Sequence, residues 1–204
     1  MSQTSTIHIR GNLSKQEREI LMELLSRSRS VLLATVEGLS DAQAVFHPSS
    51  DEWSIAQCTE HLAETETQLY AIVTDQLLQG PAEPERARQV AGKSDIVIRG
   101  MRERTQKGKT FESLIPRSHP DLTASVAAFE ASRLKTIEFV ASTNADLHLH
   151  VAPLGAFGDL DGYQWLLAIA VHTERHIAQM EEVKRHPEFP TAEVYKNIGK
   201  DDRP

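Results

Sequence analysis

The fold turns on Asp161-Gly-Tyr-Gln-Trp165-Leu-Leu-Ala-Ile169-Ala-Val-His172-Thr-Glu-Arg-His176-Ile-Ala-Gln-Met180-Glu-Glu-Val183. Trp165, Ile169, His172, His176, Met180 and Val183 follow one another at steps of four, three, four, four and three. That is the period of one continuous helix face, and such a face is buried against other helices. Asp161-x-x-Gln164 supplies the N-cap, and the helix is expected to run to about His186-Pro187. The two central members of the stripe are histidines, and buried imidazoles are tolerated only where their ring nitrogens find partners.

His172 and His176 stand at i and i+4, which brings their Cβ atoms to ~6 Å, close enough to converge on one ion. Helical zinc sites of the H-E-x-x-H type use this spacing. Here the intervening residues are Thr173-Glu174-Arg175, so the general base of a metalloprotease is missing. Taken alone, the pair reads at least as well as two core histidines bonded to side chains or water. His61 is the candidate third ligand, one turn from Cys58 and beside Leu62 in an earlier helix. By itself it too reads as a structural histidine.

Outward from this stretch, helical periodicity dominates and strand-like alternation is hard to find. Ser14-x-x-Glu17 is a capping box ahead of an amphipathic run (Ile20, Leu21, Leu24, Leu25, Val31, Leu32) that Gly38 closes. Ser40-x-x-Gln43 starts a single short turn, which Pro48 stops. Ser54-Ile-Ala-Gln57 caps a second long helix that continues through Leu62, Leu69, Ile72, Val73 and Leu77 to Gly80-Pro81. Residues 81–120 are rich in Pro, Gly and charge, with one helical piece near Asp95–Arg104. A connection of that length suits a crossover between helices that are not antiparallel neighbours. The third long helix spans 121–142, with Val126, Phe129, Ile137 and Val140 on one face. Pro153, Gly155 and Gly158 predict an irregular loop over 143–160. The division expected is an N-terminal segment over 1–13, a helical bundle over 14–186 and a tail over 187–204.

Trp53-Ser-Ile-Ala-Gln-Cys-Thr-Glu-His61-Leu resembles the tryptophan-then-histidine motif that opens the second helix of DinB/YfiT-like proteins. Their second motif, two histidines separated by three residues with a glutamine three further on, is similar to His172-Thr-Glu-Arg-His176-Ile-Ala-Gln179. The lead-in Gly38-Leu-Ser to Pro48 is similar to the family's first loop. The resemblance covers about residues 14–186. It implies an all-α four-helix bundle with a long crossover between helices two and three. It also implies a divalent metal, zinc or nickel, on His61, His172 and His176, and a homodimer. Some family members are thiol S-transferases or thiol-dependent isomerases, others are described as metal-dependent hydrolases, and many have no known activity.

Three neutral imidazoles leave the full charge on such an ion and a coordination position open, as in catalytic zinc sites. The expected chemistry is attack by an activated thiol or water nucleophile on a small-molecule substrate, with a low-molecular-weight thiol as a possible co-substrate. A non-catalytic metal-binding stress protein and a plain interaction bundle are the rival readings. Cys58 is expected to be core packing. Glu64, Gln179 and Arg175 are candidates for contacts around the site. His47, His119, His148 and His150 are expected at the surface, with His148-x-His150 an adventitious metal pair.

Composition narrows the classes further. The 204 residues are 40% hydrophobic and 25% charged, enough for one domain with a proper core. Twenty-two basic residues against 29 acidic ones give a formal charge of -7, a poor balance for binding nucleic acid. The basic run Arg99–Lys109 reads as a solvated helix face. One cysteine allows no intramolecular disulfide, no signal-peptide core opens the chain, and no apolar run is long enough to span a membrane. A cytoplasmic protein is expected.

Overall fold

The computed structural model describes residues 11–105 and 112–191. Most of the predicted N-terminal segment, the Gln106–Lys109 end of the basic run and most of the C-terminal tail lie outside the described residues.

Four helix starts are set by reciprocal side-chain caps. Ser14 accepts from the Glu17 amide while Glu17 reaches back to the Ser14 amide, and Ser40–Gln43, Ser54–Gln57 and Asp161–Gln164 repeat the pairing. Such a cap contributes ~0.5–2 kcal/mol by satisfying amides the helix itself leaves unpaired. The helices are α1 (Lys15–Val36), α2 (Asp41–Ala44), α3 (Ile55–Ala71), α4 (Pro84–Val90), α5 (Ser94–Arg102), α6 (Leu122–Ser142) and α7 (Gly162–Lys184). The long ones, α1, α3, α6 and α7, form a four-helix bundle.

Pairings along the helices give their directions. Glu66 meets Arg133 and Thr136, and farther along Tyr70 meets Phe139, so α3 and α6 run parallel. Arg29 pairs with Glu130 while Arg18, earlier in α1, bonds the Val140 and Thr143 carbonyls, so α1 opposes α6. Glu17 and Asp161 share one histidine at the starts of α1 and α7, and Lys184 bonds the Thr35 carbonyl near their ends. Those two helices are therefore parallel. Both α1 and α3 pack on α6 and α7, so α1 faces α3 across the diagonal. The 81–120 connection thus joins parallel neighbours, and the chain must travel back along a helix of ~30 Å before α6 can begin.

The structure differs from the sequence reading in three local places. Helix α3 does not stay α-helical to Gly80: Ile72–Leu77 widen into a π turn. There the Thr74 hydroxyl donates to the Tyr70 carbonyl and competes with the backbone ladder. The 81–120 connection, expected to hold one helical piece near Asp95–Arg104, holds a second, α4, whose first residue is Pro84, where its missing N–H would have had no partner anyway. The predicted irregular loop contains a hairpin of β1 (Val151–Pro153) and β2 (Asp159–Asp161). Gly158, with φ +64° and ψ -147°, turns this hairpin in a conformation that L side chains rarely adopt. Strands of three residues are too short for alternation to show.

One half of the core gathers Leu21, Leu25, Val140, Leu166 and Leu167; the other gathers Leu32, Ile55, Leu62, Phe129 and Met180. Helix α5 and the hairpin lie against α7: Trp165 Nε1 donates to the Ala152 carbonyl, and Gln164 ties α7 to the Val90 carbonyl. Among the described residues, no helix is long and apolar enough to cross a membrane.

Candidate metal centre

Helix α7 carries its stripe into the bundle as the spacing predicts: Trp165, Ile169, His176, Met180 and Val183 are buried and His172 is partly so. Helix α3 delivers His61, buried, from the opposite side. One ring nitrogen from each of His61, His172 and His176 lies within 4.8 Å of the others. The Nε2 atoms of His172 and His176 are 3.1 Å apart. A tetrahedral ion with bonds of ~2.0–2.1 Å holds its nitrogens ~3.3 Å apart, so this pair already stands at a ligand separation. A hydrogen bond between two rings would suit the same distance, but it would not call a third nitrogen to the point.

The outer nitrogens are oriented by donation. His61 Nδ1–H donates to the Leu114 carbonyl at 2.9 Å, and His176 Nδ1–H donates to Gln179 Oε1 at 3.0 Å. Each bond leaves Nε2 as the lone pair facing the centre, the arrangement that orients metal-binding imidazoles. The Leu114 carbonyl is held in place by the returning crossover. Glu60 accepts from the Arg117 amide at 2.7 Å and pairs with its guanidinium, and Gln57 donates to the Arg117 carbonyl. Trp53 covers the centre, its ring 4.8 Å from that of His61 and stacked 6.0 Å from that of His176.

The electrostatics keep the rings neutral. Burial lowers the pKa of His61. Burial, with the charges of His61, Arg175 and Arg133 added, pushes His172 down to about 3. Burial and the neighbouring histidines hold His176 well below its ordinary value. Among the described residues no carboxylate hydrogen-bonds any of the three rings. The donor set fits a divalent cation: three neutral imidazoles and no anionic ligand.

Other sequence expectations meet the structure unevenly. Cys58 is fully buried in the core and its thiol is pushed up to about 12 by burial, so it packs rather than reacts. Gln179 takes the place beside His176 already described. Glu64 is exposed and makes no contact with the centre; the residue one turn beyond His61 that does is Thr65, 3.4 Å from the His61 ring nitrogens. Arg175 lies beside the site and donates to the Glu103 carbonyl. The described part of the basic run docks on α7: Arg102 pairs with Glu174, and Arg104 pairs with Glu182 and bonds the Arg175 carbonyl. Arg99 and Arg102 stay exposed, as expected of a solvated face, while Arg104 is half-buried.

His47 and His119 are exposed as expected, but His148 is not a surface ligand. Its Nδ1 bonds Asp161 at 2.9 Å and its Nε2 faces Glu17 at 3.3 Å, so no nitrogen is left to share with His150. The adventitious pair therefore does not form. Besides Glu60, two buried charges lie outside the sequence expectations. Glu66 and Arg133 form an ion pair at the bundle centre. Both sit on apolar stripes, Glu66 between Leu62 and Leu69 and Arg133 between Phe129 and Ile137. A charge at a core position was the available signal.

The sequence model of the DinB superfamily matches residues 24–180. The chain is 26% identical over 167 residues to YuaE of Bacillus subtilis (strain 168), itself uncharacterized, across 80% of this chain and 96% of that one. Among solved structures it resembles YfiT of Bacillus subtilis, described as a probable metal-dependent hydrolase with an unusual four-helix bundle topology. That likeness has a TM-score of 0.55 at 16% identity, over 87% of this chain and 91% of that one, and speaks for the fold.

Proposed function

The chain belongs to the DinB superfamily, and from that premise we propose that it is a metal-dependent enzyme. His61, His172 and His176 hold one divalent cation, zinc or nickel, and the site activates a thiol or water nucleophile against a small-molecule substrate. The observation that carries the reading is the convergence of three neutral imidazoles, two of them oriented through Nδ1 so that Nε2 faces the centre. Imidazole suits zinc and nickel among the divalent ions. A cation there supplies Lewis acidity, lowering the pKa of the nucleophile and polarising the bond under attack. His61 from α3 and His172 and His176 from α7 would hold that cation, with the Trp53 ring packed against His61 and His176. Three protein ligands leave a position open, which distinguishes a catalytic site from a closed structural one.

Elemental analysis of protein purified without a nickel column tests the first half of the reading, with one equivalent of metal expected. A wild-type protein free of metal would remove it in favour of a plain bundle with satisfied core histidines. The nucleophile is tested on cobalt-loaded protein, whose visible spectrum responds to sulfur ligation. Glutathione, bacillithiol or mycothiol should perturb it if the enzyme is a thiol transferase. Silence to all three, with turnover of hydrolysable substrates, supports water. Metal without turnover in either screen supports the non-catalytic metal-binding bundle.

A further inference from the structure

At the middle of the bundle Arg133 is completely buried, and each of its five N–H donors is used. Nε donates to both Glu66 oxygens at 2.8 and 3.0 Å. Nη1 donates to the Leu25 carbonyl at 2.9 Å and the Ser28 hydroxyl at 2.6 Å. Nη2 donates to Glu66 Oε2 at 2.8 Å and the Thr173 hydroxyl at 2.7 Å. Thr136 donates to the remaining face of Glu66 at 2.9 Å. One guanidinium plane thereby holds groups from α1, α3, α6 and α7 at a common height.

Stability alone gives little reason for such a pair. Desolvating two charges offsets most of their attraction, and well-packed apolar residues of similar volume often do as well or better. What the pair adds is direction, because a planar fork accepts its partners in one geometry. Its partners adjoin the three-histidine centre. Thr173 follows His172 in sequence, and Glu66 lies on the turn after His61, next to Thr65, which contacts the His61 ring. We infer that the Glu66–Arg133–Thr173 network is a positioning element for the metal centre, fixing the relative height of α3 and α7 so that His61 arrives opposite His172 and His176.

The magnitudes favour this role. A slip of one residue along a helix moves a side chain ~1.5 Å, whereas ligand distances tolerate only ~0.2 Å. Interlocking apolar ridges resist such a slip, and the directional charged hydrogen bonds of the fork oppose it further. These residues touch neither ion nor substrate and act through the histidines.

The inference rests on the proposed metal site, and the test separates the two. In the double variant Glu66→Leu/Arg133→Met the charges leave together, so no buried ion is stranded. We expect cooperative unfolding with a midpoint at or above that of the wild type, yet zinc and cobalt affinity reduced about 10–100-fold, the usual effect of losing an outer partner of a ligand. The NMR contacts between the Trp53 ring and the rings of His61 and His176 should weaken with it. A folded double variant with wild-type affinity and unchanged contacts overturns the inference. Should that variant fail to fold, Thr173→Val deletes one hydroxyl; it should lower affinity, with Thr173→Ser restoring it. Wild-type affinity in Thr173→Val then overturns the inference. If the wild type binds neither metal, the functional reading fails and the Trp53 contacts alone decide this one.

Discussion

At the start of α7, His148 bridges Glu17 and Asp161; farther along the same helix, His172 and His176 meet His61 with no carboxylate on any ring among the described residues. Burial works against charge in both places. At His148 the Asp161 hydrogen bond and the charges of Asp161 and Glu17 outweigh it, and the pKa is raised. At the other three burial prevails: the Leu114 hydrogen bond at His61 and the Gln179 hydrogen bond at His176 oppose it without overcoming it, and the pKa values fall. One cluster favours a proton on its histidine, which two carboxylates flank. The other lacks a positive charge where three lone pairs converge. What separates a structural histidine from a candidate ligand is therefore the company of carboxylates more than depth of burial.

The largest effect that could break this contrast is on metal content. His61→Ala should lose stoichiometric metal although it lies more than a hundred residues from its partners, and His172→Ala and His176→Ala should match it. Undiminished metal in His61→Ala would show that the ion sits elsewhere. A smaller effect should follow from Gln179→Leu, which removes the acceptor that orients His176. Competition with a chromophoric chelator should find affinity lowered about 10–100-fold with the fold intact.

Proton linkage sharpens the contrast because the two clusters have opposite signs. The three depressed histidines bind protons less readily folded than unfolded. With chelator present, the stability they support is whole above the unfolded value of ~6.5 and declines as pH falls below it. His148 binds its proton more readily when folded, so its contribution is whole below ~6.5 and is lost as pH rises through its higher folded value. His148→Gln should cost about 1.5–3 kcal/mol at pH 6, the range for a hydrogen bond to a charged group, and less at pH 9. Urea unfolding at both pH values reads the difference, and an equal loss at each would mean that His148 is neutral in the fold. The smallest expectation is for Glu64→Ala. An exposed side chain without a partner should change stability by less than ~0.5 kcal/mol and metal content not at all.

Much of the bundle was legible because helices encode it locally. The four reciprocal caps, the extents of α1, α6 and α7, and the inward stripe of α7 all follow from spacings of three and four residues. The short elements escaped for the same reason: α4 and the hairpin offer too few residues for a period to declare itself. Glu64 and Thr65 lie three and four residues beyond His61, and only packing shows that the four-residue step reaches the His61 ring.

The sequence by itself determined which residues share a face, where the long helices begin, and that two histidines on α7 and one on α3 lie on inward stripes. Tertiary structure alone decided that α3 lies parallel beside α6, that the Leu114 carbonyl orients His61, and that Glu66 and Arg133 meet at the bundle centre. The reason is geometric. A spacing of 3.6 residues per turn places each side chain around its own helix axis, but carries nothing about the height at which a neighbouring helix stands. That height is settled only when distant segments pack and their buried polar groups find one another.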